Sequence, residues 1–154
     1  MKNLSLLFAT FLMTQQAFAQ TCFSSEINPR TNKIFASEEV YQSTVADWLS
    51  REPRHPGLFD LYAAYGVYKN EQSVAQSLGN DKRAHCYMGC RITQRTNYET
   101  TEYVGWLKED RDIKDCKKGT RFEYADFDAT VVGGQKGQSE VDAEGCIAVC
   151  KRNY

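Results

Sequence analysis

Asp81-Lys82-Arg83-Ala84-His85-Cys86-Tyr87-Met88-Gly89-Cys90 is the stretch that decides the fold, read together with Cys146-Ile147-Ala148-Val149-Cys150. Residues four apart on a helix lie one turn apart on the same face, so each Cys-x-x-x-Cys pair sets two thiols in a row. Two such rows can form two rungs between helices. Antiparallel packing pairs Cys86 with Cys150 and Cys90 with Cys146; parallel packing pairs Cys86 with Cys146 and Cys90 with Cys150. Either arrangement leaves Cys22 and Cys116 for a third bridge. The reading predicts a mainly α, compact helical domain whose central helix is disulfide-clamped to the C-terminal helix. Each rung closes a loop of about 60 residues, roughly 4 kcal/mol in the chain-entropy model, and the two rungs share most of that constraint.

The start of the chain places those cysteines in an oxidising compartment. Lys2, the mostly apolar run from Leu4 to Met13 and Ala17-Phe18-Ala19 read as a secretory signal over residues 1–19. Gln15 and Gln16 interrupt the run well short of the ~20 apolar residues of a membrane span, and Thr21 before Cys22 does not fit a lipid-accepting cysteine. Residues 20–154 are then expected to form a single disulfide-stabilised helical domain, periplasmic or secreted, with no membrane association after signal removal. Without the signal, which contains one lysine and no acid, the remaining 18 Lys+Arg face 20 Asp+Glu, a formal charge of about −2. That balance excludes the basic excess of a nucleic-acid binder.

Periodicity predicts the remaining helices. Ser37 is placed as the cap of a helix to Leu49, and Leu58 to about Lys69 forms a second with a stripe of Leu58, Leu61, Tyr62, Tyr65 and Tyr68. A separate short turn is expected over Ser73–Leu78, stopped by Gly79. Asn80 or Asp81 caps the central helix Lys82–Arg95; Thr96 with Glu99 resembles a capping box for a helix ending near Cys116. Phe122–Val132 leans towards helix. Gly133-Gly134-Gln135-Lys136-Gly137-Gln138 reads as a flexible loop, after which Ser139 caps a last helix through Lys151.

Chemistry is less sharply written. His85 is the candidate proton-transfer group, since imidazole exchanges a proton near neutral pH, although its place on the central helix also fits a hydrogen-bonded core histidine. His55, between Pro53 and Pro56, reads as exposed. Four-residue cysteine spacing and two histidines fit a structural zinc site poorly, and Asp126-x-Asp128-x-Thr130 lacks the glycine and the final glutamate of a calcium loop. No cofactor and no metal are expected. The mixed charges from Lys108 to Asp128 read as a solvated face, although Glu109 and Asp126 could flank His85 in space and build a hydrolytic or metal site.

Asp81-Lys82-Arg83-Ala84-His85-Cys86, Cys90, Gly105, Glu109, Asp126 and Gly133 together resemble a poorly characterised bacterial domain. That domain occurs at the C-termini of Rhs-type polymorphic toxins and in free-standing secreted proteins. Its pattern is close to Asp-x-x-Arg-His-Cys-x-x-x-Cys, His-Glu and Asp-x-x-Asn-Asn-x-x-Gly, and the similarity spans residues 80–137. This chain has Lys108-Glu109 where the family has His-Glu, and Ala129-Thr130 where it has paired Asn. The resemblance implies a helical fold and, if the family's polar set is an active site, carries over His85, Glu109 and Asp126 alone.

The functional expectation is an exported, disulfide-stapled helical binding or interaction protein with a protein partner. One alternative is a secreted toxin-like hydrolase using His85, Glu109 and Asp126 as catalytic groups. Another is an immunity or inhibitor protein.

Overall fold

In a computed structural model that describes residue 23 and residues 25–115, 121–140 and 142–154, the chain is mainly α-helical. A two-strand antiparallel pair, β1 (Ile27–Asn28) and β2 (Lys33–Ile34), precedes α1 (Glu38–Leu49), α2 (Leu58–Ser77), α3 (Asp81–Arg95), α4 (Tyr98–Lys114), α5 (Tyr124–Gly137) and α6 (Ala143–Asn153). The expected signal over residues 1–19 lies outside the described residues, as do Cys22 and Cys116 with their expected bridge. The described residues fall into two units, one running to Ser50 and joined by those of Asp110–Phe122, the other Arg51–Glu109 with Glu123–Tyr154.

In the first unit Ser37 caps α1 as expected, its Oγ accepting from Val40 N at 3.3 Å. Tyr41 and Trp48 point inwards; the Tyr41 hydroxyl donates to the Ile113 carbonyl at 2.7 Å and Trp48 meets Phe122 edge-on with ring centroids 5.0 Å apart. Glu26 is buried in this unit, and burial followed by repulsion from Asp115 and Asp112 pushes its carboxyl up to about 7, against the pull of Arg121.

The second unit is built around α3. Asn80 Oδ1 caps it by accepting from Arg83 N, and four of its residues serve two neighbours. Cys86 bonds to Cys150 and Cys90 to Cys146, so α6 lies antiparallel along it. Both rungs are fully buried, in a cluster with Ala75, Leu78, Tyr87 and Val149. On the α2 side, Glu71 accepts from Arg91 Nε and Nη2 and from the Tyr87 hydroxyl. These donors to Glu71, the Arg91 bond foremost, outweigh its partial burial and hold its carboxyl below the usual range, while burial, with Glu71 beside it, pushes Tyr87 up to about 12.

Several boundaries differ from the sequence expectation, each for a local reason. The second helix and the expected turn over Ser73–Leu78 are one helix, α2, because the intervening polar segment carries Glu71 onto Arg91 and Tyr87; Gly79 at φ 69° then stops it. Asn97, not Thr96, caps α4, its Oδ1 accepting from Thr100 N at 2.7 Å, because the Thr96 hydroxyl is turned back onto the Ile92 carbonyl. Likewise Ser139 donates to the Lys136 carbonyl, leaving Asp142 to cap α6 through Gly145 N at 2.8 Å.

The largest correction concerns residues 133–138, expected as a flexible loop. Through Gly137 they are the last five residues of α5. A Cβ at Gly133 would overlap the Cys86 carbonyl, one at Gly137 the Cys90 carbonyl, and one at Gly89 of α3 the Thr130 carbonyl of α5. Glycine here serves close approach of two helix backbones, and the contact offsets its poor helix propensity. We expect Gly133→Ala to lower stability by roughly 3 kcal/mol or more in a denaturant titration. Gly66→Ala, at an α2 position where an added Cβ meets nothing within 4 Å, should raise it by about 0.5–1 kcal/mol.

Candidate functional site

One turn into α3 and one turn into α5, charged side chains gather in the second unit. Asp81 stands in the first turn of α3 with Lys82 beside it, and His85 follows one turn on; Asp126 occupies the first turn of α5 and Thr130 the next turn. The glycine crossing brings these two helix starts together. His85 Nε2 lies 3.6 Å from Asp126 Oδ2 and 3.9 Å from Asp81 Oδ1. Lys82 Nζ bonds to Asp126 Oδ1 and reaches Glu123 Oε2 at 2.5 Å.

Thr130 holds the histidine ring in place. Its hydroxyl lies 3.0 Å from the Asp126 carbonyl and 3.2 Å from His85 Nδ1, and which of the two it donates to sets the imidazole tautomer. Either way Nε2 is the ring nitrogen that faces the two aspartates. Burial holds the His85 pKa below its ordinary value; Asp126 and Asp81 pull it up and Lys108 and Lys82 push it down. Burial would also lower Lys82, but its bonds to Asp126 and Glu123 dominate and hold it above the usual range.

Of the three residues singled out as catalytic, the fold brings His85 and Asp126 into direct range. Glu109, on α4, is fully buried and committed elsewhere: Oε2 accepts from Glu123 N at 2.9 Å and Oε1 pairs with Lys108 Nζ at 3.1 Å. Burial pushes its carboxyl up to about 7, with Lys108 and the Glu123 N–H opposing. A side chain so enclosed positions the start of α5. The mixed-charge stretch is thus not simply a solvated face, because Glu109, Asp112 and Asp126 are all buried. His55 is exposed as expected, its ring 4.6 Å from that of Tyr103.

Lys82, Asp81, Glu123 and Thr130 were given no role at this site from sequence, although Asp81 and Lys82 stand in the resemblance motif and Thr130 in the incomplete calcium-loop pattern. Asp81 and Lys82 precede His85 by four and three residues, the spacing of a shared helix face, which was a usable signal. Thr130 and Glu123 become visible only once Tyr124–Gly137 is known to be helical. An open cleft of about 450 Å3 lies elsewhere in this unit, between Thr93 and Gln94 at the end of α3, Asn97 and Glu99, and Gly137 and Glu140.

The arrangement can hold a cation and fasten two helices; as a base, His85 would present Nε2 to two carboxylates. Asp126 depends on Lys82, since a buried carboxylate stripped of its partner is strongly destabilising. We expect Lys82→Met to lower stability by roughly 3 kcal/mol and Lys82→Met combined with Asp126→Asn to recover most of that loss, measured by chemical denaturation. No family model, curated protein or solved structure matches the chain.

Proposed function

We propose that this is an exported binding protein that docks a protein partner through the N-terminal half of α2. The observation that carries the reading is exposure: Leu58 is 81% exposed, Phe59 92%, Tyr62 78%, Tyr65 58% and Tyr68 51%. The sequence stripe on this helix is therefore mostly turned outwards, while Ala64, Val67 and Ala75 supply its inner face. Five large apolar side chains within three turns are costly to leave in water and mark a surface that is covered in use.

Leu58, Tyr62 and Tyr65 stand at i, i+4 and i+7, the anchor pattern of a helix laid into an apolar groove of its partner. Three tyrosines favour a protein groove over a lipid surface, because their hydroxyls need hydrogen-bond partners at the rim of the contact and their rings lose little conformational freedom on binding. A net charge near neutrality after signal removal argues the same way, since membrane-surface helices draw on clustered Lys and Arg. The two disulfides fit an oxidising, exported setting, and no helix among the described residues is long and apolar enough to cross a membrane. Periplasmic or secreted placement follows from the signal sequence in this reading. An immunity or inhibitor role is the same function with a toxin or enzyme as the partner.

The test is site-specific photocrosslinking from Tyr62 in the exported protein, with Lys151 of α6 as a remote control, followed by titration of the identified protein with purified material. We expect an adduct with one protein from position 62 and not from 151. Tyr62→Ser with Tyr65→Ser should then weaken binding at least about tenfold while leaving the melting curve unchanged. Adducts to a second copy of the chain, adducts to lipid, or affinity unaffected by the double substitution would each contradict the reading.

A further inference from the structure

We propose that Asp81, His85 and Asp126 form a binding site for one divalent transition-metal ion of the zinc class. The ligand atoms, Asp81 Oδ1, His85 Nε2 and Asp126 Oδ2, fit within a 4.8 Å envelope. Around a single zinc at ordinary bond lengths, ligand atoms stand roughly 3.3 Å apart. The observed separations of 3.6 Å and 3.9 Å from Nε2 need only a few tenths of an ångström of contraction. Asp81, with 71% of its side chain exposed, is free to supply that movement.

Three further features point to a cation. First, Asp126 is 2% exposed, yet only its Oδ1 is bonded to Lys82; Oδ2 faces Nε2 at a distance too long for a hydrogen bond. A carboxylate oxygen facing Nε2 calls for positive charge at that point, either a proton on the imidazole or a cation held between the two atoms. Second, His85 already has the outer contact typical of a metal-bound histidine: Nδ1 lies 3.2 Å from Thr130 Oγ1, which is itself 3.0 Å from the Asp126 carbonyl. This fixes the ring with Nε2 turned towards the two aspartates. Third, Asp81, Asp126 and Glu123 outnumber Lys82 by two negative charges, while Lys108 and Glu109 pair with each other. A divalent ion balances that excess.

One nitrogen and two carboxylate oxygens suit zinc, cobalt or manganese better than calcium, which favours an all-oxygen shell, and better than copper(I), which favours sulfur. Three protein ligands with Asp81 at the solvent edge leave room for water or an external group to complete the shell. The ion would join the first turns of α3 and α5 at the point where Lys82 already ties them. This assignment is independent of the α2 docking surface, and neither stands or falls with the other.

The experiment uses the full-length exported protein with its disulfides intact, freed of metal by a chelator and titrated with zinc by calorimetry and with cobalt by visible absorption. We expect saturation at about one equivalent and a zinc-dependent rise in Tm of several degrees. His85→Gln and Asp126→Asn should abolish binding. Asp81→Asn, an exposed change that leaves the fold alone, should weaken it about tenfold or more, and Thr130→Val, which removes the hydroxyl shared by His85 Nδ1 and the Asp126 carbonyl, by a similar factor. His55→Gln should change nothing. Absence of saturable binding by the folded protein, or binding that survives Asp81→Asn and His85→Gln undiminished, would overturn the assignment.

Discussion

Two residues, Cys86 and Cys90, hold the second unit together through both ends of their chemistry. Their sulfurs are bonded to α6, and their backbone carbonyls are the surface against which Gly133 and Gly137 bring α5. The i, i+4 spacing of the cysteines on α3 is answered by i, i+4 spacing of cysteines on α6 and of glycines on α5, so one helical repeat sets the register of both neighbours. Displacing α3 by one residue would lose the rungs and drive side chains into the glycine contact. Small residues are prominent among those buried near this crossing, Ala75, Ala129, Thr93, Thr101 and Thr130 among them, beside the larger Leu78, Tyr87, Ile92 and Val149. A core of that kind gains less from apolar area than from close backbone approach and cross-linking.

The same crossing creates the charged site. Helices in contact at their glycines bring their first turns close enough for Lys82 to reach Asp126 and for His85 to face both aspartates. Burial then gives these groups their unusual character, with imidazole held neutral more readily than in water and the Glu109 carboxyl pushed up to about 7. By contrast α2 meets α3 through Ala64 and Val67 against Ile92, with the Glu71 network, and turns its aromatic face away. A rigid support behind an exposed aromatic row is a good arrangement for binding, because little ordering remains to be done on contact.

Much of the fold was legible because its strongest signals are local. Ser37, Asn80 and the helical periods located α1 and α3 closely, and the cysteine spacing identified the partner helices of the clamp while leaving parallel and antiparallel pairing open. Glycine misled, since a residue chosen for close packing is spelled like one chosen for flexibility, and only the neighbour's carbonyl distinguishes them. Caps at α4 and α6 were misplaced by one and three residues because several capping-competent side chains crowd each junction and hydrogen bonding chooses among them. Of the site, His85 and Asp126 were found by chemical type; Lys82 and Thr130 were hidden because their roles depend on an inter-helix contact that no local pattern encodes. The direction of the α2 stripe was not legible either, because periodicity alone does not say which way a stripe faces.

Disulfide mapping of the unreduced native protein tests the central constraint most directly. Cyanogen bromide cleavage at Met88 separates Cys86 from Cys90, and fragmentation of the linked peptides in a mass spectrometer assigns their partners. The expected result is Cys86 joined to Cys150 and Cys90 joined to Cys146. Cys86 joined to Cys146, or any of these four recovered as a free thiol from the native protein, would contradict an antiparallel clamp and the helix crossing built on it.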